Sequence, residues 1–143
     1  MLRRLTIMVL ALALLGAAPT AAAAAASHKV YAERDIAGQE LAYRPHAIGL
    51  SVDGSFAMAA IRYRSYGGEV ATATARAYVR DCTPNCAQGR FDRPRASLRL
   101  SKQIGCRGLT IYSRLRYVLS GPLPAGFPRQ GTETLRPLGE EGC

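Results

Sequence analysis

Few side chains in this sequence have a type and spacing that could do chemistry. The cysteines stand at Cys82, Cys86, Cys106 and Cys143, so only Cys82-x3-Cys86 is a close pair, and arginines crowd it. Structural zinc asks for four Cys or His ligands, often as two close pairs. Redox centres favour C-x-x-C. No metal or cofactor is therefore expected, and the cysteines read as disulfides. Four of them permit three pairings. Pro84-Asn85 favours a turn, so a local Cys82–Cys86 bridge is expected, with Cys106 holding the chain end through Cys143. A pairing of Cys106 with Cys82 or Cys86 is the alternative.

The remaining catalytic types are sparse. The two histidines are His28 and His46, and both read as solvent-facing. No G-x-S-x-G elbow, phosphate-binding glycine loop or H-E-x-x-H occurs. Asp81 and Asp92 could in principle share acid–base work, but they lie in an arginine-rich stretch where ion pairing is the plainer account. No catalytic residue is assigned, and the expectation is a protein that is not an enzyme. A small hydrolase is the minor alternative.

Arginine is the residue type that stands out. Residues 76–116 carry ten basic side chains against Asp81 and Asp92. Arg99 alternates with Leu98 and Leu100, and Arg114 and Arg116 alternate with Leu115 and Tyr117. Such arginines line the solvent face of strands, and their planar forks suit phosphate and carboxylate. The candidate anion-binding residues are Arg76, Arg95, Arg99, Lys102, Arg114 and Arg116. The plain alternative is a solvated basic surface without a partner.

Elements must exist to position these residues. The first 26 residues have the layout of a secretory signal peptide: Arg3-Arg4, an apolar run from Leu5 to Ala18, then small residues from Ala21 to Ala26. Cleavage after Ala26 is expected. A retained anchor is the alternative, since Leu5 to Ala26 is long enough to span a bilayer needing about 20 residues. Removal leaves 117 residues with a net charge near +7 and all four cysteines. That size suits one domain, and export suits disulfides.

Residues 27–46 read as an arm, 47–120 as a β domain and 121–143 as a Gly/Pro-rich irregular tail. Ile48, Leu50 and Val52 alternate with small residues, Asp53-Gly54 suggests a two-residue hairpin turn, and Phe56, Met58 and Ala60 resume the alternation. Val70–Val79 places Ala71, Ala73, Ala75, Ala77 and Val79 on one face, and period two argues strand. Ser97–Lys102 and Ile111–Leu119 alternate likewise, with a turn at Cys106-Arg107-Gly108 between them. Five to seven short strands with tight turns predict an all-β fold, a small antiparallel sandwich or barrel stapled by disulfides, with irregular termini.

Arg44-Pro45, Asp53-Gly54, Tyr63-Arg64-Ser65-Tyr66-Gly67, the alanine strand and Cys82-Thr83-Pro84-Asn85-Cys86-Ala87-Gln88-Gly89 occur in that order. In these motifs, over roughly residues 44–118, the chain resembles a group of short secreted proteins of high-GC Gram-positive bacteria that share a C-x-P-x-C-A-x-G loop. The group usually has tryptophan where Tyr63 and Tyr66 stand here. The resemblance implies secretion and a β-rich fold and supplies no activity. Taken together, the sequence points to a secreted or envelope-associated, non-enzymatic binding domain. Anionic wall polymer or a membrane surface is the expected partner, and nucleic acid is the least expected. The alternative is a secreted serine-protease inhibitor presenting the loop at 82–93, with Arg90 or Arg93 entering a trypsin-like pocket.

Overall fold

The computed structural model describes residues 29–35 and 40–135. Residues 1–26, which read as a signal peptide, and also His28 and Cys143, lie outside the described residues. Nine strands follow one another and no helix occurs among the described residues: β1 (Val30–Asp35), β2 (Glu40–Tyr43), β3 (Ile48–Gly49), β4 (Phe56–Ser65), β5 (Ala71–Arg80), β6 (Phe91–Asp92), β7 (Arg95–Cys106), β8 (Leu109–Ser120) and β9 (Gln130–Thr134). The fold is all-β, as the period-two patterns imply.

The strands form one sheet in the order β2-β1-β3-β4-β5-β7-β8-β9, with β6 beside β5. The sheet is curled into a half-barrel whose two ends meet at β1. Val30–Ala32 of β1 pair in parallel with Thr110–Tyr112 of β8, and Asp35 pairs with Gly49 of β3. Because β2 runs antiparallel along the other edge of β1, β8 and β3 share one edge of that strand. Curling of this kind lets a single small sheet enclose its own apolar face.

The alanine face of β5 makes the curl possible. Met58 and Tyr63 of β4 sit opposite Ala77 and Ala73. On the other flank, Leu98 and Leu100 of β7 sit opposite Ala73 and Ala71. Large side chains on both flanking strands thus lean over a strand of methyl groups. Small-beside-large alternation is how small barrels fill their interiors. Leu98, Leu100, Leu115 and Met58 are all buried, and full burial of such a side chain is worth about 1.5–3 kcal/mol.

The turn expected at Cys106-Arg107-Gly108 is present. Arg107 and Gly108 join β7 to β8 with φ of 52° and 73°, the doubly positive pattern of a type I′ two-residue hairpin. Gly67, with φ of 92°, supports the turn after Tyr66. The buried Tyr112 ties that turn down: its hydroxyl accepts from Gly67 N–H at 3.0 Å and donates to the Gly68 carbonyl at 2.6 Å.

Other expectations are corrected. The Asp53-Gly54 turn is not a two-residue hairpin loop: β3 ends at Gly49 and β4 begins at Phe56. Ser51 extends the loop by accepting the Phe56 N–H on its hydroxyl at 2.8 Å. Ala60 does not continue the inward face of Phe56 and Met58. It is exposed with φ of 51°, and Ile61 is buried in its place. The register confirms a bulge, since Ala59 pairs with Arg76 but Arg62 pairs with Thr74; an extra residue there flips the phase of the strand.

The sheet also extends beyond 47–120 at both ends. The expected arm contains β1 and β2, and the expected tail turns into β9 at Gln130. Alternation is hidden in β1 because Glu33 is buried beside the buried Ala32. It is hidden in β9 because the inward positions are Gly131 and Glu133. A Cβ at Gly131 would meet Tyr117 Cζ at 2.6 Å, so the tyrosine ring occupies the space a side chain would need.

Candidate anion-binding face

The outer face of β4, β5, β7, β8 and β9 is built by the same registers that build the core. One row reads Arg76 on β5, Arg95 on β7 and Ser120 on β8. The next reads Arg62, Thr74, Ser97, Val118 and Gln130. A third reads Ser65, Thr72, Arg99, Arg116 and Thr132, and a fourth pairs Ser101, Arg114 and Thr134. No position in these rows is acidic. Two arginine pairs, Arg76–Arg95 and Arg99–Arg116, stand directly opposite each other across neighbouring strands. Like charges so placed destabilise a sheet.

Among the described residues, no acidic side chain pairs with these arginines to offset that repulsion. Among the described residues an ion pair joins Arg34 and Glu40, on β1 and β2, and none reaches Arg62, Arg95, Arg99, Arg114 or Arg116. Arg76 is oriented through a backbone contact, its Nη1 donating to the Arg93 carbonyl at 3.1 Å. Five of the six candidate residues, Arg76, Arg95, Arg99, Arg114 and Arg116, are brought onto this face. Lys102 stands apart: it has φ of 55° and lines a different depression, beside Glu69 and Gln103. Arg62 joins the face although the charge count beginning at residue 76 missed it. The alternation Ile61-Arg62-Tyr63-Arg64 was the available signal, obscured by the bulge at Ala60.

A shallow depression of about 470 Å³ opens where Arg62, Arg76 and Arg95 converge, with Thr74, Ser97 and Ser120 supplying hydroxyls. Ala60 and Arg62 also border a second depression of about 710 Å³, lined by Tyr43, Arg44, His46 and Tyr63. Arg76, Arg95 and Ser120 border a third of about 360 Å³, continuing to Arg93 and Pro122. The aromatic end is held by an edge-to-face cluster. Tyr66 packs against Tyr63, Tyr43 and Tyr112 with centroid separations of 4.6, 5.6 and 5.5 Å. The Arg44 guanidinium lies over Tyr63 and Tyr66, and the Tyr63 hydroxyl donates to the Pro45 carbonyl at 3.0 Å. Burial pushes the Tyr66 phenol up to about 12 and the Tyr63 phenol further in the same direction. Both therefore stay neutral hydrogen-bonding groups near neutral pH.

The loop at 82–93 is closed by a Cys82–Cys86 disulfide, as expected, with a Cα–Cα distance of 3.9 Å. Its shape is set by local bonds. Thr83 N–H donates to Asp81 Oδ1 at 3.1 Å, Arg80 Nη1 donates to the Cys86 carbonyl at 2.9 Å, and Arg80 lies 4.3 Å over the Phe91 ring. A Cβ at Gly89 would collide with the Asp81 carbonyl. Arg90 is exposed, and Arg93 lies over Tyr78 at 5.3 Å. Cys106 is buried and is not a free thiol; the pairing expected for it ends on Cys143, outside the described residues. His46 is exposed and gives its carbonyl to Ile61 N–H at 3.0 Å. The structure does not gather it with a carboxylate in the depression it lines.

No protein-family model, curated protein or solved structure matches this chain.

Proposed function

We propose that this is a secreted, envelope-associated β protein whose convex arginine face binds an anionic polymer without chemical turnover. The observation that carries the reading is the pair of directly opposed arginines, Arg76–Arg95 and Arg99–Arg116, on a face with no acidic position. A fold that keeps like charges opposed, at a cost to its own sheet, is accounted for by an external anion that relieves the repulsion. The surrounding Ser and Thr hydroxyls add hydrogen-bond donors suited to oxyanions. Secretion rests on the signal-like leader, the resemblance around Cys82–Gly89 and the local disulfide, which persists in oxidising compartments.

The test is retention of the protein on immobilised poly(glycerol phosphate) at low ionic strength, with phosphatidylglycerol vesicles as the comparison. Binding should weaken steeply as salt rises, because exposed charges are screened within a Debye length of about 8 Å at physiological salt. Absence of binding to both at low salt would remove the reading.

A further inference from the structure

Three depressions on the outer face share their walls in sequence. Ala60 and Arg62 are shared by the central depression and the aromatic one, and Arg76, Arg95 and Ser120 by the central depression and the one that continues to Pro122. They form one groove running across β4, β5 and β7 rather than along them. Adjacent strands lie ~4.8 Å apart, so the groove covers about 10 Å from β4 to β7. The bulge creates its passage over β4. With φ of 51° at Ala60, the strand turns outward at an alanine, and the wall between the aromatic end and the arginine centre is formed by Ala60 and Arg62.

The two ends differ in chemistry. At one end stands Tyr43, an aromatic side chain that is 50% exposed although it packs edge-to-face with Tyr31 and Tyr66. His46 lies beside it. At the centre, Arg62, Arg76 and Arg95 converge with three hydroxyls. A ring face with hydrogen-bonding neighbours suits the C–H face of a sugar, and converged guanidinium forks suit oxyanions. Resting on the anion-binding reading above, we infer that the ligand is a linear acidic glycan lying across the strands, with a sugar ring against Tyr43 and its acid groups on Arg62, Arg76 and Arg95. The Arg99–Arg116 row lies outside the groove, ~13 Å further along β7 from Arg95 at the usual strand rise.

Full-length protein is titrated with polygalacturonate, with inorganic polyphosphate and with neutral dextran. Polygalacturonate should bind best and dextran should not bind. Arg62→Gln with Arg95→Gln should weaken polygalacturonate at least ~tenfold, because each lost charge-assisted contact is a large share of such a site. Arg99→Gln with Arg116→Gln removes the same charge and should cost much less. Tyr43→Ala should weaken polygalacturonate about three- to tenfold and leave polyphosphate unmoved. Ala60→Asp should block the groove and Ala60→Asn should not; both residue types tolerate the left-handed backbone, so the pair separates charge from folding. Equal losses from the two double variants would overturn the groove. So would a Tyr43→Ala protein that binds polygalacturonate as the parent does. In either case binding to polyanions in general would survive. Failure to bind polygalacturonate and polyphosphate alike at low salt would instead remove the basic-face reading beneath the inference.

Discussion

Replacing Arg99 by threonine should make the protein more stable while weakening its hold on anions. Arg99 and Arg116 are directly opposed on β7 and β8, in the geometry where Cβ atoms lie within ~5.5 Å. Guanidinium groups splayed to about 7 Å repel by about 0.6 kcal/mol in a water-like dielectric. At 0.15 M salt, with a Debye length of about 8 Å, roughly 0.25 kcal/mol remains. Threonine adds a few tenths through its β preference. The expected gain is therefore about 0.5–1 kcal/mol at 10 mM salt, falling to about half at 0.5 M. Arg95→Thr, opposite Arg76, should behave alike, and the two should add because the sites lie more than about 10 Å apart. Urea midpoints read this cleanly, since guanidinium chloride is itself a salt. The double variant should also bind polyanions more weakly. A loss of stability at low salt, or a gain indifferent to salt, would refute the argument: the arginines would then be held by packing of their stems.

Tyr112→Phe should cost about 1.5–2.5 kcal/mol, because Gly67 N–H loses its acceptor while the Gly68 carbonyl keeps Gln103; a urea midpoint moved at unchanged slope checks it. Gly131→Ala should cost about 1–3 kcal/mol by pushing the Tyr117 ring off β9, and most of that cost should vanish in a Tyr117→Leu background. Asp53 is held at about 2, below its ordinary 3.8, by the Ser55 hydroxyl and then the Ser55 N–H. Its contribution is therefore complete above the ordinary carboxylate range and lost as pH falls through about 2, so the stability difference between the parent and Asp53→Asn should shrink on acidification. Trypsin and subtilisin should remain uninhibited at micromolar protein; tight inhibition abolished by Arg90→Ala would move the function to the Cys82–Cys86 loop.

The strands that could be read in the sequence are those with a regular phase and a clear division between faces. β5 shows alanine against threonine, arginine and tyrosine, and β7 and β8 show leucine against arginine, so their faces follow directly from period two. The turn at Arg107-Gly108 needs positive φ at both positions, and glycine announces it. The arginine face was legible for the same reason, apart from Arg62. What the pattern hides are departures from period two and strands without an apolar face. The Ala60 bulge inverts β4, and nothing local marks an alanine for a left-handed backbone. Tyr112 is buried out of phase because its hydroxyl serves the turn at Gly67-Gly68, a long-range demand. β9 is held by Tyr117 over a glycine, and β1 by partners far along the chain. The groove depends on the bulge at Ala60, so it was not visible until the registers were known.

The seam has a temporal side. Val30–Ala32 are among the earliest described residues to be synthesised, yet their β8 partners, Thr110–Tyr112, are among the last. Until β8 emerges, β1 and β2 can pair with each other but have nothing to close against, and an unpaired edge is a template for wrong partners. Contacts so distant in sequence slow folding, because a large loop must close before they form. A chain of this design matures only when nearly complete: a truncation before β8 removes the closure as well as two strands, β8 and β9, and should yield an aggregation-prone open sheet rather than a smaller barrel.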